Sequence, residues 1–171
     1  MLIWIKFFKQ SVNTNFFLHP LELMSKTFLV TEKSQLFILL SNKVNMYELE
    51  QLCSLVGWGK RPPKKVKCAM NNSIINLTLY SDYNSKYKLI GFVRAISDQA
   101  FNATIWDMVI HPDYQSQGLG TLLMKKIIQE LRYLEIDTIT LFADSKSIKF
   151  YNKLGFITDP YNIKGMFWYP Q

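Results

Sequence analysis

The spacing of apolar residues changes several times along the chain, and each change marks an element. Leu36 to Leu40 (LFILL) is a short apolar run between Ser34 and Ser41, which predicts a buried strand. From Asn45 the period becomes helical. Met46, Leu49, Leu52, Leu55 and Val56 recur on one face, Asn45 with Glu48 forms a capping-box pattern, and Gly57 ends the helix. Trp58 to Lys67 (WGKRPPKKVK) is a Pro-broken basic loop that leads into a second short helical stretch through Met70. Ser73 to Tyr80 (SIINLTLY) and Leu89 to Ile96 (LIGFVRAI) read as a hairpin across the turn-rich SDYNSKYK, and Ala103 to Ile110 (ATIWDMVI) as a third strand. After Gly118, Leu119, Leu122, Leu123, Ile127, Leu131 and Leu134 line one face of a helix of about four turns. Thr138 to Phe142 is strand-like, Ser147 to Lys153 a short helix, and Gly165 to Tyr169 (GMFWY) is expected to close the fold as a last strand. The order predicts a mixed α/β domain, with 1–35 an irregular N-terminal segment packed on it and 36–171 the domain proper.

Composition narrows the class. At 171 residues, with 49% hydrophobic and 19% charged residues, the chain supports a real core, which excludes disordered and fibrous classes. Cys53 and Cys68 have no paired metal-type spacing, so a reducing compartment and no metal are expected. Met1 to Phe8 (MLIWIKFF) is far short of the ~18–20 apolar residues of a membrane span and lacks the marks of a signal or transit peptide. It reads as a short strand or amphipathic segment folded onto the domain, or as a weak membrane-surface contact. Residues with AT-rich codons (Ile, Asn, Lys, Phe, Tyr) are abundant, as in a plastid or a compact bacterium. The net charge of +7 asks which anion the protein meets: nucleic acid, membrane or a phosphorylated small molecule.

The answer lies in Gln115-Ser116-Gln117-Gly118-Leu119-Gly120, set between a strand and a long helix. A helix N-terminus offers unpaired N–H groups and partial positive charge, and glycine lets a phosphate approach the backbone. A P-loop would need Gly-Lys-Ser/Thr where Gly120 is followed by Thr121 and Leu122. A dinucleotide fingerprint would need a small residue where Leu123 stands. The plain alternative is that both glycines only make a tight turn.

This Gln-x-x-Gly-x-Gly turn, after VIHPDY and some way before FYNKLGF (Phe150 to Phe156), resembles the signature of the Gcn5-related N-acetyltransferase (GNAT) family. VGW (Val56 to Trp58), FNATIWD (Phe101 to Asp107), LFADS (Leu141 to Ser145) and IKGMFWYP (Ile163 to Pro170) extend the resemblance to its plastid and cyanobacterial type. That type includes chloroplast enzymes described as serotonin N-acetyltransferases and as protein lysine or N-terminal acetyltransferases. The resemblance covers about Asn45 to Pro170. It implies a single-domain GNAT fold, a mixed and mostly antiparallel sheet in which a splayed parallel strand pair holds acetyl-CoA.

The resemblance also implies roles. Backbone groups of Met108, Val109 and Ile110 would pair with pantetheine and present an amide to the thioester oxygen. Gln115, Ser116, Gln117, Gly118, Leu119, Gly120 and Thr121 would cradle the pyrophosphate. Tyr151 would lie near the sulfur as general acid, or else pack as a buried aromatic. Asp144 is an N-cap by its place, and by resemblance a cofactor contact, a base, or both. Ser147 would add a cofactor contact, and Asp107 is an alternative base or amine anchor. His111 reads as a turn residue. The implied activity is acetyl transfer to a primary amine, an arylalkylamine such as serotonin or a protein lysine or N-terminal amine, by direct attack in a ternary complex. The alternative is a non-catalytic acetyl-CoA-binding regulatory module. Trp58, Trp106, Tyr80 and Phe92 are candidates for an aromatic acceptor pocket or for the core. No nucleic-acid partner and no membrane span are expected, and the protein is expected to be a monomer or homodimer. The basic cluster Lys60 to Lys67 is expected away from the acceptor entrance or at the cofactor's phosphates. The expected location is the plastid stroma, plastid-encoded, with a cyanobacterial cytoplasm as the alternative.

Overall fold

The computed structural model describes residues 27–30, 35–40, 43–83 and 86–170. Met1 to Phe8, and with it the reading of that segment, lies outside the described residues. Strands β1 (Thr27–Val30), β2 (Gln35–Leu40), β3 (Ile75–Tyr83), β4 (Lys86–Ser97), β5 (Asn102–Ile110) and β6 (Thr138–Leu141) form one six-stranded sheet in sequence order. Neighbours are antiparallel except β5 and β6, which are parallel. The mixed, mostly antiparallel sheet with one parallel pair is the predicted one. β1 lies in the stretch expected to be irregular. The β3–β4 hairpin is longer than predicted: the ladder reaches Tyr83↔Lys86, because Ser81, Asp82, Tyr87 and Lys88 continue the pairing beyond the apolar runs.

Helix α1 (Met46–Leu55) starts where predicted: Asn45 Oδ1 accepts from the amides of Tyr47 at 3.0 Å and Glu48 at 3.4 Å. It ends in a Schellman arrangement, the Trp58 amide donating to the Cys53 carbonyl and the Gly57 amide to that of Ser54, with Gly57 at φ 82°. Helix α2 (Pro63–Asn71) begins on Pro63, whose missing N–H costs nothing in a first turn. Leu49, Leu52 and Cys53 of α1 and Met70 of α2 pack with Leu89, Phe92 and Val109 of the sheet. Helix α3 (Leu119–Tyr133) packs on β3, β4 and β5, burying Leu119, Leu123, Met124, Ile127 and Leu131. One glycine is set by close approach: a Cβ on Gly91 would lie 2.8 Å from Ile110 Cδ1 and 3.1 Å from Leu79 Cβ, so its absence lets Ile110 lie across β4.

The chain divides into two compact units, one ending at Leu141 and one from Phe142 onward. The second holds the short helix α4 (Ile148–Asn152) and a 3₁₀ turn, Pro160–Asn162. The expected last strand, Gly165 to Tyr169, is a correction: this segment has no regular secondary structure and pairs with no strand among the described residues. Its apolar residues run consecutively rather than alternating, so they give no single face to bury, and Met166, Phe167, Trp168 and Tyr169 are all exposed.

Candidate active site

β5 carries the first half of the site. Phe92 pairs with Val109 and Arg94 with Trp106, so Val93 alone faces Asp107 and Met108, and β5 is bulged there. Asp107 holds φ 55°, a left-handed conformation that costs on the order of 1 kcal/mol for a residue with a Cβ. On the other edge the parallel ladder with β6 stops at Ile105↔Leu141. From Asp107 to Ile110, β5 therefore has no ladder partner on its β6 side among the described residues. The parallel pair ends there, and Met108, Val109 and Ile110 lie beyond it on β5. Their side chains are half-buried or buried, which leaves the backbone as the part of this stretch offered to a ligand.

The second half follows without a break. His111 is buried, accepts on Nδ1 from the Asp113 amide at 3.3 Å, and stands edge-on to Tyr114. Burial, and then the charge of Lys88, push its pKa down, so it is a neutral turn residue. The side chains of Gln115 and Gln117 are spent on the loop itself. Gln115 Nε2 donates to the Ile110 carbonyl at 2.9 Å and Gln117 Nε2 to that of Asp113 at 3.0 Å. Ser116 and Gly118 both take left-handed φ, 60° and 80°, and turn the chain into α3. The first helical bond runs from the Leu122 amide to the Gly118 carbonyl. The amides from Ser116 to Thr121 accordingly find no acceptor among the described residues. Gly118, the N-cap, has no side chain to satisfy them. A strained turn, an exposed glycine and unpaired donors are groups that can receive an anion.

Asp144, Ser147 and Tyr151 come together in the second unit. Asp144 Oδ1 accepts from the amides of Lys146 at 2.8 Å and Ser147 at 3.0 Å, while Ser147 Oγ donates to the Asp144 carbonyl at 3.1 Å. The Ser147 and Lys146 amides hold the Asp144 carboxyl below the usual carboxylate range. Tyr151 is half-buried between Phe150 and Phe156, ring centroids at 5.0 and 6.0 Å. Burial, with Asp144's charge behind it, pushes its phenol above the ordinary tyrosine value. Its hydroxyl has no partner among the described residues, so a neutral donor is held ready.

Asp107 is not free to act as a base. Arg61 Nη1 donates to Oδ1 at 2.9 Å and Arg94 Nε to Oδ2 at 2.7 Å, with the Asp107 and Arg94 side chains 14% and 12% exposed. Sequence reading missed Arg94, whose signal is a lone charge in the apolar strand LIGFVRAI: a buried guanidinium needs a partner. Arg61 also lines a cavity of about 310 Å3 between α1 and α2, with Met46, Glu50, Cys53, Trp58 and Lys60. Its guanidinium lies over the Trp58 ring at 5.7 Å. Of the aromatic candidates only Trp58 lines this cavity: Phe92 is wholly buried in the core, Tyr80 stacks on Phe37, and Trp106 lies on β5. The basic cluster divides. Lys60 stands at the cavity, 3.7 Å from Glu50, whereas Lys64, Lys65 and Lys67 are exposed on α2. Cys53 is not an activated nucleophile: it is buried, which pushes its thiol up, and it accepts from Arg61 Nη2, while Cys68 is exposed on α2 beside Asn72. No group of His, Cys, Asp or Glu among the described residues is placed to hold a metal, and no described helix is long and apolar enough to cross a membrane.

The model of the Acetyltransferase (GNAT) family matches residues 43–156, a stretch that runs through both units. A red-algal relative, the N-acetyltransferase ycf52 of Porphyra purpurea, is 50% identical over 100% of both chains. The chloroplastic GCN5-related N-acetyltransferase 2 of Arabidopsis thaliana is 45% identical, with 75% of this chain and 56% of that one covered. Among solved structures, a GNAT family acetyltransferase of Streptococcus pneumoniae superposes with a TM-score of 0.67 over 80% of this chain and 98% of that one; at 24% identity this likeness concerns the fold.

Proposed function

The chain belongs to the GNAT family of acetyltransferases, and from that membership we propose that it moves acetyl from acetyl-CoA to a primary amine by direct attack within a ternary complex. The observation that carries the reading is the continuous ligand surface from the open edge of β5 to the unpaired amides of Ser116 to Thr121. Acetyl-CoA, when bound, supplies an activated acetyl thioester. The amides of the glycine turn hold its pyrophosphate, and the backbone of Met108 to Ile110 orients the reacting carbonyl. Tyr151 keeps a proton on its hydroxyl for the departing sulfur, because its raised pKa holds the phenol neutral. Asp144 and Ser147 shape the turn before α4. Asp144, with its lowered pKa and capped oxygen, is a weak base, and Asp107 is doubly paired, so the amine's proton leaves to water.

We place the acceptor in the α1–α2 cavity. Arg61 and Lys60 against Glu50 on its wall favour the neutral, attacking form of an amine. Direct transfer is supported by Cys53, the cavity's cysteine, whose buried thiol is pushed up and so is not activated. The plastid is the compartment we assign, on the chloroplastic relative, with residues 36–171 as the catalytic domain. The test is thiol release from acetyl-CoA by purified protein with serotonin, tryptamine, lysine peptides and N-terminal peptides. Release with at least one amine supports the reading, and CoA binding without release on any of them points to the non-catalytic module.

A further inference from the structure

Resting on the reading of β5 as the strand that orients the acetyl group, we propose that Asp107, Arg94 and Arg61 form a positioning network that locks the β5 bulge and ties it to the α1–α2 cavity. The strand needs such a lock. From Asp107 onward it has no β6 ladder among the described residues, and at Asp107 and Met108 the bulge interrupts the ladder with β4 as well. What holds the carboxylate, and with it the left-handed backbone of Asp107, is a guanidinium on each oxygen. Arg94 reaches it from β4, beside the bulge, and is itself steadied by Ser73: Nη1 donates to Ser73 Oγ at 3.2 Å, and that hydroxyl donates to the Ala69 carbonyl at 2.7 Å. Arg61 reaches it from the loop between α1 and α2 and also donates to Cys53 Sγ at 3.3 Å. One chain of bonds thus runs from α2 through Ser73, Arg94, Asp107 and Arg61 to α1. Arg61, 35% exposed, and Cys53 are its members on the cavity wall. A ligand that fills the cavity bears on the guanidinium that grips the bulge, so acceptor binding and order in the acetyl-orienting strand are linked, each favouring the other. Asp107 is a positioning residue in this scheme and moves no proton.

The test uses the full chain with Asp107→Asn, and Arg94→Lys and Arg61→Lys, which keep the charge and lose the fork. Hydrogen exchange of the Met108 to Ile110 amides, CoA affinity by calorimetry, and kcat, KM and the pH profile are measured on each. In Asp107→Asn, exchange speeds up and kcat falls, each by about tenfold or more, while CoA affinity stays within about threefold and the pH-profile midpoint does not move. The lysine variants shift exchange in the same direction by less, and Arg61→Lys also raises the acceptor KM. Unchanged exchange in a folded Asp107→Asn overturns the network, and so does loss of the pH-dependent limb, which would make Asp107 a base. If Asp107→Asn does not fold, Arg94→Lys decides by the same exchange measurement. Should the wild type release no thiol with any amine, the acetyl-transfer reading fails while the exchange data still judge the network.

Discussion

At the scale of the residue, chemistry depends on which polar groups are spent and which are held free. Asp107 is spent on two guanidiniums and Asp144 gives one oxygen to two amides, whereas the Tyr151 hydroxyl is engaged by no described residue. Tyr151→Phe is therefore expected to lower kcat by about a hundredfold or more, with CoA affinity held within about threefold, as read by thiol release and calorimetry. The sign of its pH dependence follows from the raised pKa: the phenol stays protonated past the ordinary tyrosine value, so a loss of rate from its ionisation falls in the alkaline range and never near neutrality. Asp144→Asn keeps the capping oxygen and should retain most activity, while Asp144→Ala loses the cap and destabilises the turn. A large loss in the Asn variant would instead make Asp144 the base.

At the scale of the element, turns decide the site. Gly118 sits at φ 80° at the start of α3, so Gly118→Ala imposes strain of about 1 kcal/mol and perturbs the cradle. Calorimetry should show weaker CoA binding in that variant with the fold retained. The other end of α3 offers the reverse change. Leu134, Glu135 and Ile136 close the helix in a Schellman arrangement with Glu135 at φ 61°, a place suited to glycine. Glu135→Gly should raise stability by up to about 1 kcal/mol in denaturant unfolding, and a loss would contradict this account of the cap. Elements whose signal is local were legible in the sequence: the Asn45 cap, the α3 face and the strand run Ala103 to Ile110. The bulge in β5 was not, because ATIWDMVI carries no local mark of it and Asp107 meets Arg61 and Arg94 only in the folded chain, and the expected strand at Gly165 failed because aromatic content without alternation or a neighbour makes no ladder.

At the scale of the whole molecule, the protein is an N-acetyltransferase of the GNAT family, and its positive charge now has partial addresses. Arg61 and Arg94 are consumed by Asp107, Lys60 by Glu50, and the turn before α3 adds backbone donors that composition does not count. Lys64, Lys65 and Lys67 stay exposed on α2, so charge-reversing them should leave turnover within about twofold, as expected of a solvated face. The measurement that tests the account most directly is a single-turnover reaction with acetyl-labelled acetyl-CoA, followed by mass spectrometry of both protein and amine. Acetyl passing to the amine in step with thiol release, with no acetylated protein formed when the amine is left out, is the predicted result. Stoichiometric acetylation of Cys53 or Cys68 before amine is added would contradict it.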